Sequence, residues 1–242
     1  MRTALLADIH GNIDALLALD AEWRRTGRRP DQIVVLGDLV DYGPAPAEVI
    51  DWVRTHAGIA VRGNHDHAMA TGEDCRSAAA FKALSVATRE YWRPRLDEAD
   101  LDFLRSLPLQ ARWPDDRGPT LLVHATPRDP LFEYRRGDDG DAQWREALAP
   151  IDAAIRTIWL GHTHVPFVRA FDRLTIVNPG SLGMPKDGDP RGCYAIWEDG
   201  RIRLERIAYD VERTVGRTNE LALPDDARRE LASVFRTGGR LW

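Results

Sequence analysis

Apolar residues along this chain come in short runs that repeatedly stop at a polar cluster. Thr3–Ala7 reads as a buried strand ending at Asp8-Ile9-His10-Gly11-Asn12, and Ile13–Arg25 follows with Leu16, Leu17, Leu19 and Trp23 at helical spacing. Ile33–Leu36 and Ile59–Val61 are further strands, separated by Ala47–Thr55, where Val49, Ile50 and Val53 again recur at helical spacing. Alternating β and α elements predict an α/β fold on a parallel sheet core. Ala78–Trp92 and Leu96–Leu107 read as two more helices that cover a face of the sheet, the first interrupted near Pro94 and the second closed by Pro108.

The second half is richer in β structure. Thr120–Val123, Ile155–Leu160, Phe167–Phe171, Leu174–Val177, Cys193–Trp197 and Ile202–Ala208 read as strands, the last two joined by Glu198-Asp199-Gly200 as a hairpin turn. Thr126–Gly140 and Asn178–Gly192, rich in proline and glycine, read as surface loops beside the polar clusters. Pro224–Phe235 is expected to form the last helix, with Arg236–Trp242 loosely held. The 242 residues show no repeat, linker or low-complexity tract and suit one domain spanning 1–242.

Composition narrows the function classes. A net charge of −5 argues against an extended nucleic-acid or anionic-membrane surface, so any phosphate contact must be local. Cys75 and Cys193 lie far apart and outside any C-x-x-C pattern, which suggests neither a disulfide framework nor a thiolate metal site and fits the reducing cytoplasm. The amino terminus reaches Asp8 too soon to hold a signal-peptide apolar region, and no stretch is long enough to span a bilayer, so a soluble protein is expected. Lysine occurs only at Lys82 and Lys186, and this bias toward arginine reads as a genome trait without functional weight.

The chemistry sits where the apolar runs stop. Gly37-Asp38-Leu39-Val40-Asp41, Gly63-Asn64-His65-Asp66, His124 and Gly161-His162-Thr163-His164 join the first cluster, and five of the seven histidines lie inside these segments. Residues two apart on a strand project to one face, so Asp8 with His10, and His162 with His164, can reach one ion together. Loops at the carboxyl ends of parallel strands converge on one crevice. Asp8, His10, Asp38, Asn64, His124, His162 and His164 are too many donors for one tetrahedral ion, whereas two ions sharing a carboxylate would use them all. Such a pair, about 3.5–4 Å apart, can clamp the attacking and leaving oxygens of an in-line displacement at phosphorus. Any one of these segments could be a structural turn; five in order have little packing logic.

The pattern D-x-H, G-D-x-x-D, G-N-H-D/E, H and G-H-x-H, complete from Asp8 to His164, resembles the calcineurin-like metallophosphoesterases, and Asn178-Pro179-Gly180-Ser181-Leu182-Gly183 resembles their small bacterial and archaeal branch. The resemblance implies a four-layer αββα sandwich of two mixed sheets flanked by helices. It implies two divalent metal ions, Mn²⁺ ahead of Fe, Zn²⁺, Ni²⁺ or Co²⁺, one held by Asp8, His10, Asp38 and His164 and the other by Asp38, Asn64, His124 and His162. A hydroxide between the ions would attack phosphorus, His65 would protonate or stabilise the leaving oxygen, and Asp41 would hold His65 in position.

Around that set, Asn12 could cap the following helix or touch phosphate, Arg128, Arg135, Arg136 and Arg191 lie in the two loops as candidate phosphate clamps, and Phe132 and Tyr134 could stack a base or anchor their loop. Asn12, Arg128 and Arg191 are the substrate-contact candidates carried forward. Ser181 lacks Gly-x-Ser-x-Gly framing and reads as turn chemistry. Where the family's protein phosphatases carry Arg after the second Asp, this chain has Tyr42, and it has Asp66 where they carry Glu, which turns the reading away from phosphoproteins. The short chain resembles phosphodiesterases and symmetrical dinucleoside-tetraphosphate hydrolases, so a small nucleotide-type substrate is expected. A broad phosphomonoesterase is the alternative, and a noncatalytic metal-binding scaffold or metal sensor the rival from another class. Homodimerisation through the β-rich half stays open.

Overall fold

The computed structural model of the protein describes residues 1–114 and 118–239. Alternating apolar runs and amphipathic stretches fold as their spacing predicts: β1 (Arg2–Leu6), α1 (Ile13–Thr26), β2 (Gln32–Val35), α2 (Pro46–His56) and β3 (Ile59–Ala60). Then come α3 (Asn64–Thr71), α4 (Ala79–Trp92), a short 3₁₀ turn at Arg93–Arg95, α5 (Glu98–Ser106), β4 (Gln110–Trp113), β5 (Thr120–Val123) and α6 (Asp141–Ala147). The chain continues through β6 (Thr157–Trp159), β7 (Phe167–Phe171), β8 (Leu174–Asn178), β9 (Gly192–Glu198), β10 (Arg201–Ile207), α7 (Val211–Asn219) and α8 (Asp225–Thr237).

Two mixed five-stranded sheets result, ordered β10-β9-β1-β2-β3 and β4-β5-β6-β8-β7. In the first, β1, β2 and β3 run parallel out to the β3 edge and the β9-β10 hairpin adds antiparallel to β1; in the second, β5, β6 and β8 run parallel between antiparallel edge strands β4 and β7. Because successive side chains point to opposite faces, Leu5, Val34, Leu122, Trp159, Val177 and Trp197 meet between the sheets, while Ala4, Leu6, Ile33 and Val35 face Leu16, Leu19, Val49 and Val53 of α1 and α2. The outer face of the second sheet packs Ile158 and Ile176 on Trp144 of α6, and α4, α7 and α8 form a further apolar cluster around Leu231 and Phe235. These are the four layers expected: helix, sheet, sheet, helix. Among the described residues no helix is long and apolar enough to cross a membrane.

Four elements carry too weak a period to be read from the chain. α3 is hidden inside G-N-H-D, β4 and α6 fall in stretches to which the sequence assigns no element, and α7, with only Thr214, Val215 and Thr218 buried, has too thin an apolar stripe. The loop expected at the surface over Asn178–Gly192 is corrected in its first part: Asn178–Met184 and Lys186 are buried, hydrogen-bonded under the β1 turn through Leu182 N–H to Ala7 O (3.0 Å) and Gly183 N–H to Asp8 O (3.2 Å). At the carboxyl end Arg236 and Thr237 belong to α8, and Gly238 O accepts from Gly188 N–H (2.7 Å), so the tail is docked as far as Gly239. Its remainder, and with it the rest of the tail expected to be loose, lies outside the described residues. The Asp199-Gly200 turn has both residues at positive φ, the two-residue hairpin geometry that matches strand twist.

Candidate active site

Each parallel strand delivers its polar cluster at the carboxyl end. β1 supplies Asp8 and His10, β2 Asp38 and Asp41, β3 Asn64 and His65, β5 His124, and β6 His162 and His164. Close approach of these turns depends on glycine: a Cβ on Gly63 would lie 2.0 Å from Asp38 Oδ1, and one on Gly183 1.7 Å from Ile9 O. The backbone is bent to aim the side chains, since Asp8, His10, Asp38, Asp41, Tyr42, His162 and His164 all sit at φ between 47° and 68°. Left-handed backbone at a residue with a Cβ costs about 1–3 kcal/mol each and survives where the surroundings enforce it. Backbone bonds from His10 N–H to Asp38 O (2.9 Å) and from Gly11 N–H to Leu39 O (2.7 Å) supply part of that enforcement.

Two donor groups form, Asp8-His10-Asp38-His164 and Asp38-His124-His162, and Asp38 belongs to both. Asn64 Oδ1 lies 3.0 Å from His124 Nε2 and 3.2 Å from His162 Nδ1, while its amide donates to Cys75 O (2.6 Å). His10, His124 and His164 each turn Nδ1 to a backbone carbonyl, of Val40 (2.7 Å), Leu36 (2.7 Å) and Met184 (2.6 Å). In His10 and His164 that places the proton on Nδ1 and leaves the Nε2 lone pair facing inward, the tautomer a metal ligand needs. Acceptors then face acceptors: His10 Nε2 is 3.2 Å from His164 Nε2, and His164 Nε2 is 3.5 Å from Asp8 Oδ1. Bare lone pairs at such separations repel unless a cation stands among them, so the residues present fit two metal ions.

Burial governs the proton balance. It drives His10, His162 and His164 well below the usual histidine range, which keeps them neutral. It raises Asp8 to about 7, opposed by His124. His124 is pushed down by burial but carried up to about 9 by Asp38. For Asp38 the burial effect is overcome by His124 and His65, which hold its carboxyl well below the ordinary value.

A second cluster adjoins the first. His65 Nδ1 donates to Asp41 Oδ2 (2.7 Å), the same oxygen accepts from the Arg89 guanidinium, and Cys75 completes the group. Burial alone would lower His65; Asp38 and the Asp41 hydrogen bond outweigh it and raise His65 to about 10. Asp41, His65 and Cys75 stand close enough to hold an ion, but Asp41 already faces two positive partners in Arg89 and His65. Asp66 stands beneath both, accepting from the N–H groups of Asp38 (2.8 Å), Leu39 (2.8 Å) and Gly63 (2.9 Å).

The three substrate-contact candidates each have a partner outside the two donor groups. Asn12 is fully buried, its oxygen capping α1 at Ala15 N–H (3.1 Å) and its amide donating to Gly183 O (2.8 Å), which leaves it a structural cap. Arg128 pairs with Glu133 and Glu146, and Arg191 with Asp189 (2.6 Å), so neither guanidinium is directed to the donor groups. Tyr134 stacks on His162 with ring centroids 3.9 Å apart, and Phe132 lies under Arg76, so the aromatic loop anchors itself on the site. Ser181 is buried and donates to Asp8 O (2.6 Å).

Arg89, Cys75 and Lys186 were not singled out from the chain. Arg89 left a signal: Phe81, Leu84, Ser85, Thr88 and Arg89 form the buried stripe of α4, and a guanidinium on such a stripe needs a buried partner. Lys186 Nζ stands 3.2 Å from His164 Nε2, burial lowering it to about 8 against Asp8 and Asp38.

Comparison with known proteins agrees with this geometry. Residues 1–199 match the calcineurin-like phosphoesterase superfamily domain. A metallophosphoesterase structure from Sphaerobacter thermophilus superposes with a TM-score of 0.80 at 30% identity, covering 98% of this chain and 99% of that one. An uncharacterised protein of Methanocaldococcus jannaschii is 28% identical over 92% of this chain and 93% of its own length. The symmetrical bis(5'-nucleosyl)-tetraphosphatase of Psychromonas ingrahamii is 34% identical over 128 residues, 52% of this chain and 44% of that protein. The chain belongs to the calcineurin-like phosphoesterase superfamily, whose members depend on metal ions, and is a hydrolytic phosphoesterase.

Proposed function

We propose that the protein is a dinuclear hydrolase of small nucleotide-type substrates, cleaving a phosphodiester or dinucleoside-polyphosphate bond. Asp8, His10, Asp38 and His164 would hold one cation and Asp38, Asn64, His124 and His162 the other. The mixed oxygen and nitrogen donors suit Mn²⁺ first, with Fe, Zn²⁺, Ni²⁺ or Co²⁺ as alternatives. Bound there, the cations would supply a nucleophile near neutral pH and neutralise charge developing on the phosphoryl oxygens. His65, protonated and held by Asp41, is placed to give its proton to the leaving oxygen, and Arg89 fixes Asp41 from behind.

The observation that carries this reading is the sharing of Asp38 between two buried donor groups. Support for the nucleotide class comes from the tetraphosphatase relative, and support for a reducing compartment from two buried, unpaired cysteines. Purified protein assayed with p-nitrophenyl phosphate, its bis ester and diadenosine tetraphosphate, with Mn²⁺ and with chelator, tests it. Metal-dependent turnover of the tetraphosphate or the bis ester is expected. Turnover confined to the monoester would favour the phosphomonoesterase alternative, and tight metal binding without turnover would sink the enzymatic reading.

A further inference from the structure

Of the 33 basic residues in the chain only Lys82 and Lys186 are lysines. Lys82 is exposed and paired with Asp74. Lys186 is only 6% exposed, its Nζ lying over the Phe81 ring at 4.4 Å and near the Tyr42 ring at 5.8 Å. Among the described residues no carboxylate stands within ion-pair range of that nitrogen, and its polar partner is His164 Nε2 at 3.2 Å.

That partner is on loan. His164 Nδ1 faces Met184 O, so the lone pair receiving the Lys186 N–H is the one a cation in the first donor group would take. Asp8 offers no replacement, since its oxygens accept from His162 N–H at 3.2 and 3.1 Å and belong to the same donor group. Aromatic faces attract an ammonium but supply no acceptor oxygen. With metal bound, a buried amine with N–H donors would be left without a partner, an expensive arrangement unless the acceptor arrives from solution.

We propose that Lys186 is a substrate-binding residue whose amine grips a phosphoryl oxygen beside the reacting phosphorus. It thereby selects substrates carrying two or more negative charges, spread along a polyphosphate chain or held on a terminal phosphate, over diesters carrying one. A lysine suits this task because its compact ammonium turns its three donors freely, where a guanidinium holds five in a fixed fork. The inference rests on the dinuclear reading given above and narrows its substrate class toward the polyphosphate.

The test compares Mn²⁺-loaded wild type with Lys186→Met. Metal content by elemental mass spectrometry should stay at the wild-type value, while calorimetry with inorganic phosphate should show affinity weakened about 10- to 100-fold, the range for a hydrogen bond to a charged group. kcat/KM for diadenosine tetraphosphate should fall by a similar factor, and that for bis(p-nitrophenyl) phosphate by about threefold or less. Equal losses for both esters, unchanged phosphate affinity, or loss of metal from a natively folded variant would overturn the assignment. Should Lys186→Met not fold, Lys186→Arg gives the reading through the ratio of the two ester activities; an unaltered ratio overturns it as well. If wild type binds metal and phosphate yet cleaves no ester, the dinuclear hydrolase reading fails by itself, and the phosphate titration still decides on Lys186.

Discussion

The Asp38 centre and the neighbouring Asp41–His65 cluster use the same residue types, aspartate and histidine, with the aspartates of both on left-handed turns after β2. They differ in what faces what. Around Asp38, imidazole lone pairs and carboxylate oxygens converge, as where His10 Nε2 faces His164 Nε2 at 3.2 Å. Around Asp41, an imidazole N–H and a guanidinium meet one oxygen. The first arrangement calls for a cation and the second already contains its positive charges. Residue identity alone does not separate a ligand from an acid; the direction of each hydrogen bond does.

The contrast can be broken at its strongest point first. Asp38→Ala should remove the shared ligand, cutting kcat/KM by about 10³-fold or more, a loss of ~4 kcal/mol of transition-state stabilisation, with metal content by elemental analysis falling alongside it. His65→Ala should separate the two regions: activity drops by about 10²–10⁴-fold, the usual contribution of a positioned proton donor, while metal content stays at the wild-type value. Parallel loss of metal in that variant would dissolve the distinction between the clusters.

Asp41→Asn sharpens it by pH. His65 as an acid is active while protonated, so wild-type turnover should fall as pH rises through about 10. Without the Asp41 carboxylate the imidazolium is less favoured, so the alkaline limb should move to lower pH and kcat fall about 10- to 100-fold; an unmoved limb in a pH–rate profile would detach Asp41 from proton transfer. The smallest effect is expected at Arg191→Gln, which breaks an exposed ion pair with Asp189. Both kcat/KM by steady-state kinetics and stability by urea unfolding should barely move, the latter by less than about 1 kcal/mol.

The turns that carry the donor groups were legible because each is local: apolar strand, then polar residues within a few positions. Lys186 and Arg89 were not, because each reaches the site from an element with its own reason to exist, a loop between β8 and β9 and the last turn of α4. The four layers followed from alternation of apolar runs together with the family resemblance. α3 stayed hidden since its first turn carries Asn64 and His65, whose chemistry masks a helix start capped by Gly63 and Asp66. Arg128 and Arg191 show what the sequence does not carry: which partner a loop arginine takes, here Glu133 and Asp189, five and two residues away.

The left-handed turns also limit what can replace the donors. Asparagine, aspartate and histidine tolerate positive φ better than other residues bearing a side chain, and glycine better still. Selection for folding alone, applied at Asp8, His10, Asp38, His162 and His164, should therefore drift toward glycine and asparagine, producing robust proteins with an empty toolkit. Persistence of aspartate and histidine at these bends is a toll on thermostability that only continued use of the reaction would maintain.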